Sequence, residues 1–137
     1  MKDYTTAIAL DPKEFMAYTN RGQLLKKMDM IDRAIEDLNR AIDLNPGYSY
    51  AYTGRGQSFR KIGRVDLALK DLTRAIDLDP LQYVAYTNRG MTYKDMGQVD
   101  RALDDLSTAI RVNPYHENAY ISRGIVLKSI GRFDSAL

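Results

Sequence analysis

Pro12, Pro46, Pro80 and Pro114 are all the prolines the chain has, and each stands 34 residues from the next. Tyr18, Tyr52, Tyr86 and Tyr120 keep the same interval, as do Arg21, Arg55, Arg89 and Arg123, Gly22, Gly56, Gly90 and Gly124, and Ala34, Ala68, Ala102 and Ala136. A period of this length marks stacked supersecondary units, none of which can bury its apolar face alone. Such a chain builds an elongated core, lengthened unit by unit, rather than a round one.

Each period carries two helical patterns. Ile31, Ala34, Ile35, Leu38, Ala41 and Ile42 form one apolar stripe, while Asp32, Arg33, Glu36, Asn39 and Asp43 face away from it. In the stretch before it, Tyr18, Gly22 and Leu25 recur at i, i+4 and i+7. Gly63, Gly97 and Gly131 fall between such stripes, where a left-handed residue ends a helix without Cβ strain. Asp29 holds that place in the first unit, which predicts that the Met28 to Met30 turn is the least regular. The prolines follow second helices, in Asp11-Pro12, Asn45-Pro46, Asp79-Pro80 and Asn113-Pro114, and push the preceding residue out of helical geometry. The pattern predicts helices near 2–10, 15–28, 32–44, 49–62, 66–78, 83–96, 100–112 and 117–130, then a stub from Phe133.

Several chemistries find no support. The 20 basic and 18 acidic residues are dispersed along the chain, and a net charge of +2 leaves no electrostatic footprint for nucleic acid. No apolar run approaches the ~18 residues of a membrane span. Met1 to Leu10 carry Lys2 and Asp3 and no signal-peptide block. The lack of cysteine removes disulfides, thiolate nucleophiles and the commonest zinc sites, and fits a cytoplasmic location. His116, the one histidine, follows Pro114 in a turn between units and reads as a surface residue. Asp104-Asp105 and Glu36-Asp37 lie on helix backs, where carboxylates are solvated, and Gly54 and Gly56 lack the preceding strand of a phosphate loop. The reading is of a protein that is not an enzyme and carries no cofactor or metal.

Tyr52, Arg55-Gly56, Phe59, Ala68, Leu72 and Pro80 occupy the spacing of the tetratricopeptide repeat, and Tyr86, Arg89-Gly90, Tyr93, Ala102, Leu106 and Pro114 repeat it. The chain resembles that family along its whole length. The resemblance implies an all-α, right-handed α-solenoid of helix-turn-helix repeats whose first helices line the concave side. Boundaries follow at 1–14 for the end of a preceding repeat, 15–48, 49–82 and 83–116 for full repeats, and 117–137 for a truncated one. Arg21, Arg55, Arg89 and Arg123 stand where the family prefers Leu. Asp37, Asp71 and Asp105 recur in phase on the second helices, so pairs Arg21 with Asp37, Arg55 with Asp71 and Arg89 with Asp105 are expected, against the alternative of an arginine ladder for a ligand. Arg123 is left without such a partner.

A concave surface is what this architecture offers to other molecules. Opposite the Tyr18, Gly22 and Leu25 stripe lie Thr19, Gln23, Lys26 and Lys27, then Thr53, Gln57, Arg60 and Lys61, then Thr87, Met91, Lys94 and Asp95. Asn20 and Asn88 flank this groove, with Gly54 and Ser122 at the equivalent positions between and beyond. Asparagine donates and accepts together, so it can hold the amides of an extended peptide whatever the peptide's side chains. In this the chain is similar to the asparagine-bearing repeats of the O-linked N-acetylglucosamine transferases, although Asn20 and Asn88 also read as tolerated polar residues. The two-carboxylate clamp of heat-shock cochaperones is built from lysine, asparagine and arginine on the inner helices, and Thr19, Gln23, Tyr50 and Asn88 occupy four of those places without the lysines and the arginine. The expected partner is a protein or peptide segment, held by Thr19, Asn20, Gln23, Lys26, Thr53, Gln57, Arg60, Thr87, Asn88, Met91 and Lys94.

Met1 and Leu137 both fall on the register of Ile35, Leu69 and Leu103, inside a second helix. The chain therefore reads as a fragment of a longer array, with Tyr120, Leu127 and Ile130 on a face that a further helix would cover. Two alternatives follow: head-to-tail self-association through the uncapped ends, or the substrate-recruiting arm of a larger enzyme.

Overall fold

A computed structural model describes the backbone of residues 2–135 and the side chains of residues 3–131. Met1, Ala136 and Leu137, three of the residues used to set the register, lie outside the described residues, as does the side chain of Phe133. The described chain is helical throughout: α1 (Lys2–Leu10), α2 (Phe15–Lys27), α3 (Ile31–Leu44), α4 (Ser49–Lys61), α5 (Val65–Leu78), α6 (Tyr83–Asp95), α7 (Val99–Val112) and α8 (Glu117–Ser135).

Every helix packs on the next, and α2, α4, α6 and α8 also touch in succession, whereas α3, α5 and α7 do not touch one another. A stack in tight contact on one side and splayed on the other must curve, so the even-numbered helices line the inside of a helical solenoid. Ala34, Leu38 and Ala41, with Ala68, Leu72 and Ala75 and then Ala102, Leu106 and Ala109, are wholly buried. Their phase is why the second-helix stripe was plain in the sequence. Gly22, Gly56 and Gly90 let the paired helices meet: a Cβ at these positions would lie 2.9, 2.7 and 2.9 Å from the Cγ of Leu38, Leu72 and Leu106.

Helix ends repeat as faithfully as the core. Gly63 and Gly97 have φ of +79° and +76°, and each closes its helix with the amides of the glycine and the next residue returning to Arg60 and Phe59, or to Lys94 and Tyr93. Asp29 adopts the same turn at φ +62°, with its own amide on the Lys26 carbonyl at 3.0 Å and that of Met30 on Leu25 at 2.9 Å. The first turn is thus as regular as the others, contrary to the expectation, because two hydrogen bonds outweigh the left-handed strain that a short acidic side chain suffers. Before each proline an Asx turn stops the second helix, with Asp11, Asn45, Asp79 and Asn113 accepting the amide two residues on, each at 3.1 Å.

Gly131 differs from expectation. No turn forms there, and α8 runs on to Ser135. Continuing a helix through a glycine costs only about 1 kcal/mol, so a glycine at the turn register does not by itself end α8.

Candidate functional site: the inner helices

The three expected ion pairs form. Arg21, Arg55 and Arg89 each meet their aspartate through Nε and Nη2, with the Nε contacts at 2.7, 2.7 and 2.8 Å. The aspartates are buried, and hydrogen bonding to them raises each guanidinium's pKa above its ordinary value. Each arginine also lies over the tyrosine of its own helix, 5.8 Å for Arg21 on Tyr18, 5.7 Å for Arg55 on Tyr52 and 5.9 Å for Arg89 on Tyr86. These side chains join helices within the array and are committed to it, which takes them out of the ligand ladder considered above.

The candidate contact residues separate into groups. Thr19, Thr53 and Thr87 are 2%, 3% and 6% exposed, because neighbouring inner helices close over that side. The hydroxyls of Thr19 and Thr87 donate to the carbonyls one turn back, at Phe15 and Tyr83, and that of Thr53 lies between the Ser49 carbonyl and the Gln82 side chain, so these groups have little to offer a partner even though Thr87 borders the recess described next. The reason lies in the inner-helix contacts: α2, α4 and α6 are each covered by their own second helix and by the inner helices next to them, and a threonine that bonds its own backbone suits a buried flank as well as an open one.

Gln57, Arg60, Thr87, Asn88 and Met91 do come together, in one recess that runs from α4 across α6 to α8. Asn88 donates to the Val84 carbonyl at 2.8 Å, which fixes its amide, and Arg60 binds Asp95 of α6 through Nε at 2.7 Å. Asn20 and Gln23 share a second recess with Asp3 and Tyr4 of α1, and Lys94 lies in a third with Ile125, Lys128 and Ser129. Lys26 is half-buried and donates to Gln57 Oε1. Burial pushes its ammonium pKa down to about 8, and repulsion from Lys61 and Lys27 adds to the shift.

Two further lining residues were not singled out for this role. Asn118 stands one interval beyond Val84, which borders the same recess. His116 is not a free surface residue. Its ring lies against Tyr83 with centroids 4.7 Å apart, its Nε2 is buried with no hydrogen-bond partner among the described residues, and burial lowers its pKa. The period contained the signal. One interval before it, Gln82 is buried between Ser49 and Thr53 of the preceding inner helix and hydrogen bonds to both, and one interval before that Tyr48 packs edge-on to Phe15 at 5.0 Å.

With this geometry, the comparisons have a clear outcome. Tetratricopeptide repeat models match residues 15–48, 49–80 and 83–116. The chain belongs to the tetratricopeptide repeat family. Among curated protein sequences, none matches. Among solved structures, this tetratricopeptide solenoid is similar to the crystal structure of MamA at 27% identity, with a TM-score of 0.80 over 97% of this chain and 78% of that one. It is also similar to the second such domain of human RPAP3, solved in complex with the HSP70 peptide SGPTIEEVD, at 27% identity and a TM-score of 0.73 over 80% of this chain and 91% of that one. The first such domain of Spaghetti (RPAP3), bound to the HSP90 peptide SRMEEVD, shares the fold at 18% identity and a TM-score of 0.80, over 88% of this chain and 96% of that one. Among the described residues, no helix is long and apolar enough to cross a membrane, and no three His, Cys, Asp or Glu side chains gather as metal ligands would.

Proposed function

We propose that the chain is a non-catalytic scaffold that holds an extended segment of a partner protein along its inner helices. The observation that carries this reading is the continuous recess in which Gln57 and Arg60 of α4, Asn88 and Met91 of α6, and Asn118 and Ser122 of α8 meet. Amide and hydroxyl groups interleaved with a thioether suit a peptide backbone with modest side-chain selectivity. The peptide complexes of its RPAP3 neighbours lend support at the level of the fold. The chaperone clamp itself is a poor fit, since Thr19, Gln23, Tyr50 and Asn88 put no lysine or arginine at those places.

Chemical-shift mapping with a selected peptide tests the reading. Amides of α4, α6 and α8 that border the recess should move, while the backs of α3, α5 and α7 stay still. Shifts confined to the outer helices would overturn it.

A second reading, self-association through α8, is favoured by Tyr120 and Leu127, which are 42% and 49% exposed on a helix with no second helix packed behind it among the described residues. Light scattering against concentration separates the two, because a groove binder stays monomeric and the end-to-end reading requires growth.

A further inference from the structure

Arg123 and Gly124 of α8 hold the positions at which the earlier inner helices meet their second helices, and among the described residues no second helix lies against them. A Cβ at Gly124 would meet nothing within 4 Å, whereas Gly22, Gly56 and Gly90 each face a leucine. Arg123 lies over Tyr120 at 5.6 Å but joins no ion pair among the described residues. The other end of the stack offers the complement. Asp3 and Tyr4 of α1 stand one interval before Asp37 and Leu38, so α1 carries the register of a second helix. It packs on α2 and, among the described residues, on no other helix, and Asp3 is exposed and in no ion pair.

We propose that a second copy of this chain completes both ends: α8 of one molecule lies against α1 and α2 of the next, its Arg123 holds Asp3 of that copy, and the solenoid runs on from molecule to molecule. The inference rests on the self-association reading above and names the surface that α8 meets.

A recess that fits such a helix is already in place. Asp3 and Tyr4 border it from α1, and Asn20 and Gln23 border it from α2. Asn20 and Gln23 stand one interval before Gly54 and Gln57, on the flank of α4 that receives α2: a Cβ at Gly54 would lie 2.7 Å from Gln23 Nε2, and Lys26 donates to Gln57. The junction between copies therefore repeats one found inside the chain, with Lys128, three intervals after Lys26, in register to donate to Gln23. Second helices run antiparallel to first ones, since Leu38 lies over Gly22 and Ala41 packs with Tyr18. On that pattern Ala7 and Tyr4 cover Tyr120 and Gly124, and the part of α8 beyond Gly131 stays clear of α1. Two unpaired opposite charges at matching register select this occupant, because an unrelated apolar partner would bury Arg123 without a carboxylate.

Sedimentation velocity of the full chain, followed from micromolar to millimolar concentration, tests the contact. The parent should grow past the dimer, because the two surfaces differ and a head-to-tail contact of this kind does not close at two copies. Arg123→Asp and Asp3→Arg, which set like charges against each other, should each weaken association about a hundredfold, and the chain carrying both should recover it. Lys70→Met, on the outer helix α5, should associate as the parent does. Recovery in the double variant, with helical circular dichroism equal to the parent's, separates a lost contact from a lost fold. Single variants that associate as well as the parent, or a double variant that does not recover, would overturn the inference and leave self-association through another surface of α8 standing. Growth that stops at the dimer would also overturn it, in favour of two α8 helices facing each other. A parent that stays monomeric throughout removes both and leaves the peptide groove untouched.

Discussion

Arg55 holds Asp71 at two points, Nε to Oδ2 at 2.7 Å and Nη2 to Oδ1 at 2.8 Å, while its Nη1 reaches back to Asn39 of the preceding repeat at 2.9 Å. One side chain thereby joins the two helices of its own unit and ties that unit to its neighbour. Arg89 repeats the arrangement with Asp105 and, at 3.4 Å, Thr73. Where the family pattern places a leucine, this chain has made its inter-repeat contact out of a planar cation that can serve both neighbours at once.

Breaking that contact from either side leaves a charge in a half-buried place. Asp71→Leu and Arg55→Leu should each lower the unfolding free energy by about 3 kcal/mol, whereas the double variant Arg55→Leu with Asp71→Leu should come close to the parent. Urea unfolding of the four proteins closes the cycle. Losses that simply add in the double variant would show that the two residues act independently.

Two glycines on equivalent positions should respond in opposite directions to alanine. At Gly56 the new Cβ would sit 2.7 Å from Leu72 Cγ and 3.3 Å from the Ala68 carbonyl oxygen, so overpacking of about 1–3 kcal/mol outweighs alanine's better helix propensity. At Gly124 there is nothing within 4 Å, and the propensity gain of up to about 1 kcal/mol should appear as added stability. Thermal melts of Gly56→Ala and Gly124→Ala that shift in the same direction would contradict this account of the repeat's close helix contact.

The repeat's interior was legible because it rests on strict periodicity: Leu38, Leu72 and Leu106 each meet the glycine that precedes them by 16 residues, and arginine and aspartate recur in phase. What escaped was any feature set by neighbours of neighbours. Thr19, Thr53 and Thr87 looked like groove residues because a helical wheel records one buried stripe, and contact between successive inner helices buries a second flank. His116 looked free because a turn histidine has no apolar pattern, yet the register of Gln82 and Tyr48 already pointed into the gap between inner helices. Gly131 shows the converse. It stands at the register of Gly63 and Gly97 yet lies inside α8, so a glycine's φ preference alone does not decide the outcome.

His116 makes folding sensitive to acid. Burial lowers its pKa below the ordinary 6.5, so between those two values the unfolded chain binds more protons than the folded one. Its contribution is fully present above pH ~6.5 and is lost as pH falls from there through the lower pKa of the folded state. His116→Gln puts in its place the residue that stands one interval earlier, Gln82, and removes the titration. Unfolding free energies of the two proteins should run parallel above pH ~7.5 and diverge toward pH ~5, with the parent losing more. Parallel curves down to pH ~5 would mean that the buried ring contributes nothing to the linkage.

The asparagines separate binding from folding. Asn20 is exposed, and the side chain of Asn88 donates, at 2.8 Å, to the carbonyl of Val84 in its own helix, so neither is seen to hold two elements together. Replacing both with alanine removes up to two peptide contacts worth about 1 kcal/mol each and should weaken affinity for a groove-bound peptide about tenfold, with the melting temperature unmoved. Thr19→Val supplies the contrast: at 2% exposed, with its hydroxyl on the Phe15 carbonyl at 3.0 Å, it should leave affinity where it was. Affinity that falls with Thr19→Val but not with the asparagine pair would place the peptide against the flanks between inner helices, where the buried threonines could reach it only after the helices had moved apart.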